Sequence, residues 1–341
     1  MPILPVGTGD NFPYQQVLSM AIEDRSSSYQ DLVSDNNALL AVMRDKGLWM
    51  TYSGPRIRQT LQISKQNAQW YSGYDVLLNP AIDLFADAWY EPKMVVVPII
   101  LSKQEILNNE GEALLMDVLD SYMAAAERAL EDAMDSALHA AGGGKQLTGL
   151  ATAVPVANTT GVYGGIDRAQ NTWWQTQSID AQSYIAGITQ VTSTTIRPTI
   201  NRIMTAQSRG KDYADLLIMS PQHYEAYDAA TVAIQRLTPQ GGGLAKLGFS
   251  TLEYIGGGKR ATIVLEGGIG SDMPADTTYG LQTDSLRLRY HPSRNFDSVF
   301  KGEGQMPIDK DAVAQFIGWM GELTMTNPKF NWRLRDSNPA A

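Results

Sequence analysis

The stretch from Gln104 to Ala140 restricts this chain more than any other, because it reads as one long helix. Apolar positions Leu115, Leu119, Tyr122, Ala126, Ala129, Leu130, Ala133, Met134 and Ala137 recur at steps of three and four. Acidic Asp117, Asp120, Glu127, Glu131 and Asp135 take much of the remaining surface. The many alanines favour the helical state and allow close packing. Gly142-Gly143-Gly144 then ends the run, since glycine enters left-handed backbone conformations without a Cβ penalty. A helix well past the mean of ~11 residues is an architectural member, and the rest of the fold must be built along it.

Strand patterns flank that helix, so the fold class is α+β. Arg56 to Ile63 alternates cleanly, with Ile57, Leu61 and Ile63 on one face and Arg56, Arg58 and Gln62 on the other. A polar, aromatic tip carrying Trp70, Tyr71, Gly73 and Tyr74 reverses the chain. A second extended stretch returns through Ile82–Phe85 to Met94–Val97. The pair reads as a long hairpin, which is marginal in water unless a surface supports it. That surface is either its own domain or a neighbour. Ahead of the hairpin, a Pro- and Gly-punctuated arm leads into a predicted helix over Tyr29–Lys46, and an arm of this kind packs on something else or stays disordered. Beyond the glycines, a helix is predicted over Ala181–Arg209, bent or bounded at Pro198. Leu216–Met219 reads as a buried strand, and Ser220-Pro221 as the start of a helix over Gln222–Leu237. Short strands with Gly-rich turns follow from Thr251 to Tyr290, and Phe316–Trp332 reads as a closing strand.

Length allows about two domains in 341 residues. A hydrophobic fraction of 43% fits a folded protein, and a charged fraction of 18% is low for a free surface. Either copies of the chain cover that surface, or Ser, Thr, Asn and Gln fill it. The formal net charge of -9 argues against gripping a phosphate backbone and suits a wall that holds nucleic acid without sticking to it. With no cysteine, disulfides and thiolate metal sites are excluded. The first twenty residues hold Asp10 and Pro13 and no Lys or Arg, unlike a signal peptide. The longest apolar run, Met94–Leu101, is far short of a membrane span. Folding in the cytoplasm is expected.

No catalytic, cofactor or metal residue is predicted. Gly142-Gly143-Gly144-Lys145 has His139 where a phosphate-binding loop needs its first Gly, and Gln146 where it needs Ser or Thr. Gly256-Gly257-Gly258-Lys259-Arg260 fails the same tests, and Gly241–Gly243 follows Pro239 in a turn. His139, His223 and His291 lie far apart with no ligand spacing. His139 ends the long helix, where a cation suits the dipole.

The segment Tyr163-Gly164-Gly165-Ile166-Asp167-Arg168, followed by Asn171-Thr172-Trp173-Trp174, resembles a stretch of tailed-bacteriophage major capsid proteins. The resemblance extends along nearly the whole chain: an arm, a long hairpin, a spine helix ended by glycines, a Gly149-Leu150 step, this segment, and a closing Thr326-Asn327-Pro328. It implies the Hong Kong 97-type capsid fold, with an N-terminal arm over 1–55 and an extended loop over 56–93 lying on an adjacent subunit. A peripheral domain would span 94–184 with the spine helix at 104–140, an axial domain 185–290, and a return to the peripheral domain 291–341. The chain would assemble as pentamers and hexamers of an icosahedral shell around double-stranded DNA, touching that DNA weakly and without sequence preference. Localisation would be the virion capsid, assembled in the host cytoplasm. Expected partners are a separate scaffolding protein and a portal, with a decoration protein as a further candidate; neither cofactor nor membrane is implied.

The residues expected at subunit contacts are Arg56, Arg58, Trp70, Tyr71, Tyr74, Asp167, Arg168, Trp173 and Trp174. Asp167 and Arg168 would make charge-assisted hydrogen bonds that fix a loop or join neighbours. Trp173 and Trp174 would bury roughly 150–250 Å² each. At ~25 cal/mol per Å² that is an upper estimate of about 4–6 kcal/mol apiece, in a neighbour or in their own domain. Three aromatics at a hairpin tip have little of their own domain to pack on, which favours a neighbour. Some relatives join a hairpin Lys to an Asn of a neighbour, for which Lys65 and Asn327 are the candidates here. The rival readings are an encapsulin-like nanocompartment shell, a phage tail or connector component, and a soluble α/β enzyme using the Gly-rich turns for a phosphorylated substrate.

Overall fold

The computed structural model describes residues 38–66, 68–77, 81–102, 104, 112–185, 187–231, 251–267, 272–298 and 312–338. Most of the expected arm, the residues between 104 and 112 of the expected spine helix, and the end of the helix expected up to Leu237 lie outside these residues. In chain order the elements are α1 (Ala38–Asp45), β1 (Trp49–Thr51), β2 (Ile57–Gln62), β3 (Phe85–Tyr90), β4 (Lys93–Ser102) and α2 (Glu112–His139). There follow α3 (Leu150–Ala153), β5 (Val162–Tyr163), β6 (Ile166–Asp167), a 3₁₀ turn (Thr172–Trp174), β7 (Gln177–Asp180) and α4 (Ala181–Tyr184). The chain continues with α5 (Ile196–Ala206), β8 (Leu216–Met219), α6 (Pro221–Thr231), β9 (Thr251–Gly256) and β10 (Lys259–Leu265). It closes with β11 (Thr277–Leu281), β12 (Leu286–Ser298), β13 (Ala312–Met325) and β14 (Trp332–Arg335).

These elements form a four-stranded sheet in the order β1-β12-β13-β4, a six-stranded sheet in the order β7-β14-β11-β8-β10-β9, and the ribbons β2-β3 and β5-β6. The chain divides into two compact units. One comprises Ser34–Met94, Asp132–Pro292 and Met320–Ala341, and the other includes Val95–Glu131 and Ser293–Trp319.

In the first unit, β8 lies inside the six-stranded sheet, parallel to β10 and antiparallel to β11. All four of its residues are buried, so an unbroken apolar run is what the position requires. Ile196, Ile200, Ile203 and Met204 of α5 join Leu217, Met219, Tyr254, Trp332 and Leu334 in one core. The helix expected over 181–209 is in fact two helices. Gly187 and a knot of threonine hydroxyls, with Thr192 N–H donating to Thr195 Oγ1 at 2.8 Å, turn the chain between them. Pro198 is the third residue of α5, inside the first turn, where its missing N–H breaks no helical bond. The closing strand also divides: β13 ends at Met325, a turn holding Pro328 and Asn331 intervenes, and β14 joins the other sheet.

In the second unit the buried residues include Ile99, Leu101, Met123, Leu130, Phe296, Ile317 and Trp319. Phe296 and Trp319 pack with ring centroids 6.4 Å apart.

The buried stripe of α2 runs Met123, Ala126, Leu130, Met134, Ala137, Leu138, the three-and-four period of an amphipathic helix. Tyr122 and Ala129, expected on that stripe, are exposed instead. Gly142 follows in the left-handed region at φ 68°, and a Cβ there would meet the Leu147 carbonyl oxygen at 2.3 Å. A glycine is required to end this helix.

Candidate functional site

The hairpin is built from a braced base and an irregular tip. β2 and β3 pair antiparallel, Ile57 opposite Tyr90 through Gln62 opposite Phe85. The returning strand is therefore Phe85–Tyr90 and not the Val-rich run expected to continue it. Pro92 interrupts the ladder, and β4 pairs with β13 instead. Arg58 donates to Asp87 at 2.6 Å, Thr60 Oγ1 donates to the other oxygen of Asp87 at 2.9 Å, and the guanidinium sits 5.6 Å from the Trp89 ring centroid. The hydrogen bond from Arg58 holds the Asp87 carboxyl below the usual carboxylate range. Arg56 donates to Glu91 at 3.0 Å. Both arginines are exposed, yet each already braces its own hairpin.

Beyond the ladder, Ser72–Asp75 closes a reverse turn: Asp75 N–H donates to Ser72 O at 3.0 Å, and Ser72 N–H to the Asp75 carboxylate at 2.8 Å. Trp70 is 99% exposed, Tyr71 66% and Tyr74 106%. Of the 17 exposed large apolar side chains among the described residues, 11 fall between Trp70 and Ile100. Isolated exposed apolar side chains are ordinary, but here they recur along one stretch of the chain.

The Gly-Gly-Ile-Asp-Arg segment sits at the hairpin's base. β5 and β6 form a two-residue ribbon turned by Gly164 and Gly165. The Gly164 carbonyl accepts from Trp89 N–H at 2.9 Å, and a Cβ on Gly164 would lie 2.9 Å from the Tyr90 ring. Tyr90 and Tyr163 meet edge-on at 5.3 Å, and their hydroxyls donate to the carbonyls of Met325 and Leu323, both at 3.0 Å. Burial raises both phenols. Trp174 Nε1 donates to Tyr163 O at 2.8 Å. Arg168 donates to the Thr152 and Ala153 carbonyls at 2.8 and 3.0 Å, capping the C-terminal end of α3, with its guanidinium 5.5 Å from the Tyr163 ring centroid.

Two of the expected contact residues are buried within their own chain. Trp174 is fully buried and Arg168 is 1% exposed, so both pack inside their own chain. Asp167 fixes its own loop, accepting from Ala169 N–H at 2.9 Å. Trp173 is half-buried with its ring edge-on to Trp174 at 5.7 Å.

Glu322 carries no signal in the sequence. Its carboxylate is buried beside a cavity of about 120 Å³ lined by Tyr90, Lys93, Thr148, Tyr163 and others. One oxygen accepts from Thr148 N–H at 3.0 Å and Leu323 N–H at 3.2 Å. Burial nevertheless pushes the carboxyl up to about 8. Sequence spacing likewise does not bring His139 and Glu266 together. His139 Nε2 lies 3.0 Å from Glu266 Oε1 and 3.8 Å from Asp135 Oδ1. Burial opposes its charge, but the hydrogen bond and charge of Glu266, helped by Asp135 and Asp272, outweigh that and raise it. His223, bonded to Thr278 at 2.8 Å, is driven down to about 4 by burial.

No protein-family model and no curated protein matches the sequence. Solved structures do match the fold. The capsid protein of cyanophage A-1(L) superposes with a TM-score of 0.60 at 16% identity, over 84% of this chain and 89% of that one. The capsid of a native GTA particle gives 0.53 at 12% identity over 87% and 90%. Mycobacterium phage Bobi gives 0.51 at 12% identity over 86% and 89%. The chain has the fold of these capsid structures. It is a mixed α+β architecture, as the sequence predicts, and the coverage shows that the capsid fold takes in most of the chain. None of its described helices is long and apolar enough to cross a membrane.

Proposed function

We propose that this chain is the major capsid protein of a tailed double-stranded DNA bacteriophage, forming pentamers and hexamers of an icosahedral shell. In this reading it carries the Hong Kong 97-type organisation, with residues 56–93 as the extended loop and α2 as the spine. The arm covers 1–55, the peripheral domain 94–184 and 291–341, and the axial domain 185–290. Its role is structural. The packaged DNA meets a chain of formal net charge -9 and is contacted weakly. A scaffolding protein, a portal and a decoration protein are the further partners.

The observation that carries this reading is the hairpin. Its base is braced by Arg58–Asp87 and Arg56–Glu91, while Trp70, Tyr71 and Tyr74 project from the tip into solvent. A side chain as large as Trp held out in solvent beyond a hairpin is an anchor for another molecule. In a shell that molecule is the next subunit, so the tip aromatics are the contact residues proposed.

The test is electron microscopy of the purified full-length chain beside a variant shortened between Ser64 and Leu78. The full chain should form closed shells. The variant should keep its circular dichroism spectrum and remain as unassembled subunits or capsomers. Discrete small oligomers of the full chain would overturn the capsid reading, and rings or tubes would point to a tail or connector part. Normal shells from the shortened variant would remove the hairpin from the assembly mechanism while leaving the fold's role intact.

A further inference from the structure

We infer that Asp135, His139 and Glu266 form a divalent-cation site, with zinc the ion that its donors suit best. Asp135 and His139 stand one turn apart near the end of α2, an i,i+4 pair on one helix face, the spacing that lets two side chains share an ion. Glu266 comes from the residue following β10, and its backbone is pinned by its N–H donating to Met219 O at 3.0 Å. One donor atom from each of the three lies within 4.8 Å of the others. Bonds of about 2.0–2.1 Å in a tetrahedral zinc site put neighbouring donors about 3.3 Å apart. The observed 3.0 Å from His139 Nε2 to Glu266 and 3.8 Å to Asp135 bracket that figure, so small side-chain shifts complete the geometry.

Burial supplies the second argument. His139 is 1% exposed and Glu266 6%. Glu266 Oε1 faces His139, but its Oε2 is buried with no hydrogen-bond donor. A buried carboxylate oxygen without a partner is costly. A proton on His139 answers only Oε1, whereas a cation held by the carboxylate answers both oxygens and draws in Asp135. The C-terminal end of α2 adds the negative pole of its dipole, which favours a positive guest. Asp135 keeps 20% of its side chain exposed, giving the ion a route from solvent. The donor set is one imidazole and two carboxylates. Imidazole suits zinc and other transition ions, while magnesium and calcium prefer oxygen alone. Three protein donors leave a fourth position for water. The ion would tie the end of the longest helix to the end of β10, and its role would be to stiffen that junction.

The experiment uses the full chain stripped with EDTA and then titrated with ZnCl₂, reading bound zinc by competition with a chromophoric chelator and the melting temperature in parallel. One zinc per chain and a raised Tm are expected, with no response to MgCl₂. Glu266→Gln should weaken zinc binding at least about tenfold and abolish the rise in Tm. Should Glu266→Gln fail to fold, Asp135→Asn, at a partly exposed position, must show the same loss. Absence of zinc uptake by the wild-type chain would overturn the site and leave His139–Glu266 as a proton-bridged pair. Uptake unchanged in the folded variants would place the ion elsewhere and overturn it equally.

Discussion

Glu322 shows how a single buried group sets a pH dependence. Its carboxyl titrates at about 8 in the folded chain, against 4.5 for an ordinary glutamate. Between those values the folded state holds a proton that the unfolded state has released, so stability falls as pH rises from 4.5 to 8 and is level above. A gap of that size is on the order of 5 kcal/mol. Glu322→Gln keeps an oxygen to accept from Thr148 and Leu323 and never ionises. The variant's Tm should match the wild type near pH 5 and exceed it by several degrees near pH 9, measured on unassembled chain. Parallel Tm curves for the two proteins across that range would show that the carboxyl does not titrate late. Nothing in the sequence marks Glu322, because it sits among Gly, Leu and Thr with no charge pattern. The His139–Glu266 pair has no local signature for a related reason: the two are 127 positions apart, and ligand-spacing rules read only local neighbours. The motif marks Arg168 as a residue that fixes a loop or joins neighbours, and the structure has it on the Thr152 and Ala153 carbonyls of its own chain, because a motif does not say which way a side chain points.

At the scale of elements, periodicity did most of the work where burial is one-sided. β2 shows it plainly: Ile57 and Leu61 are buried and Arg58 and Gln62 exposed, as the alternation requires. The return strand is shorter than its composition suggests: Met94–Val97 has the stronger strand composition, but the pairing with β2 ends at Tyr90, before Pro92. The expected closing strand runs through to Trp332 because a strand pattern carries no information on which sheet it joins, whereas β13 ends at Met325 and Trp332 opens β14 in the other sheet. β14 carries a constraint of its own. Gly280 in β11 stands opposite Trp332, and a Cβ on Gly280 would come within 2.0 Å of that indole. Trp332 is fully buried and has nowhere to retreat. Overpacking normally costs about 1–3 kcal/mol, and a collision with a locked ring belongs at or above the top of that range. Gly280→Ala should lower the urea midpoint by an amount matching at least about 3 kcal/mol, or leave the chain insoluble. A midpoint within error of wild type would mean that β11 and β14 can part cheaply.

At the scale of the molecule, two properties would pull the proposed assembly in opposite directions. Every copy carries a formal net charge of -9, so copies repel. Each also exposes Trp70, Tyr71, Tyr74, Val76 and Leu77 in one stretch of chain, whose burial favours association. Salt acts on these two terms differently. Raising ionic strength shortens the Debye length from about 10 Å at 0.1 M to about 3 Å at 1 M, which screens the repulsion and leaves apolar burial intact. The exposed ion pairs Arg56–Glu91 and Arg58–Asp87 are internal to the hairpin and contribute little either way. The concentration at which the purified chain begins to assemble should therefore fall as NaCl rises from about 0.05 to about 0.5 M, followed by light scattering. Trp70→Ala should raise that threshold at every salt concentration while leaving the slope unchanged, because it removes apolar area and no charge. Shells that dissolve on adding salt would mean that charge complementarity between subunits, and not the aromatic tip, holds the wall together.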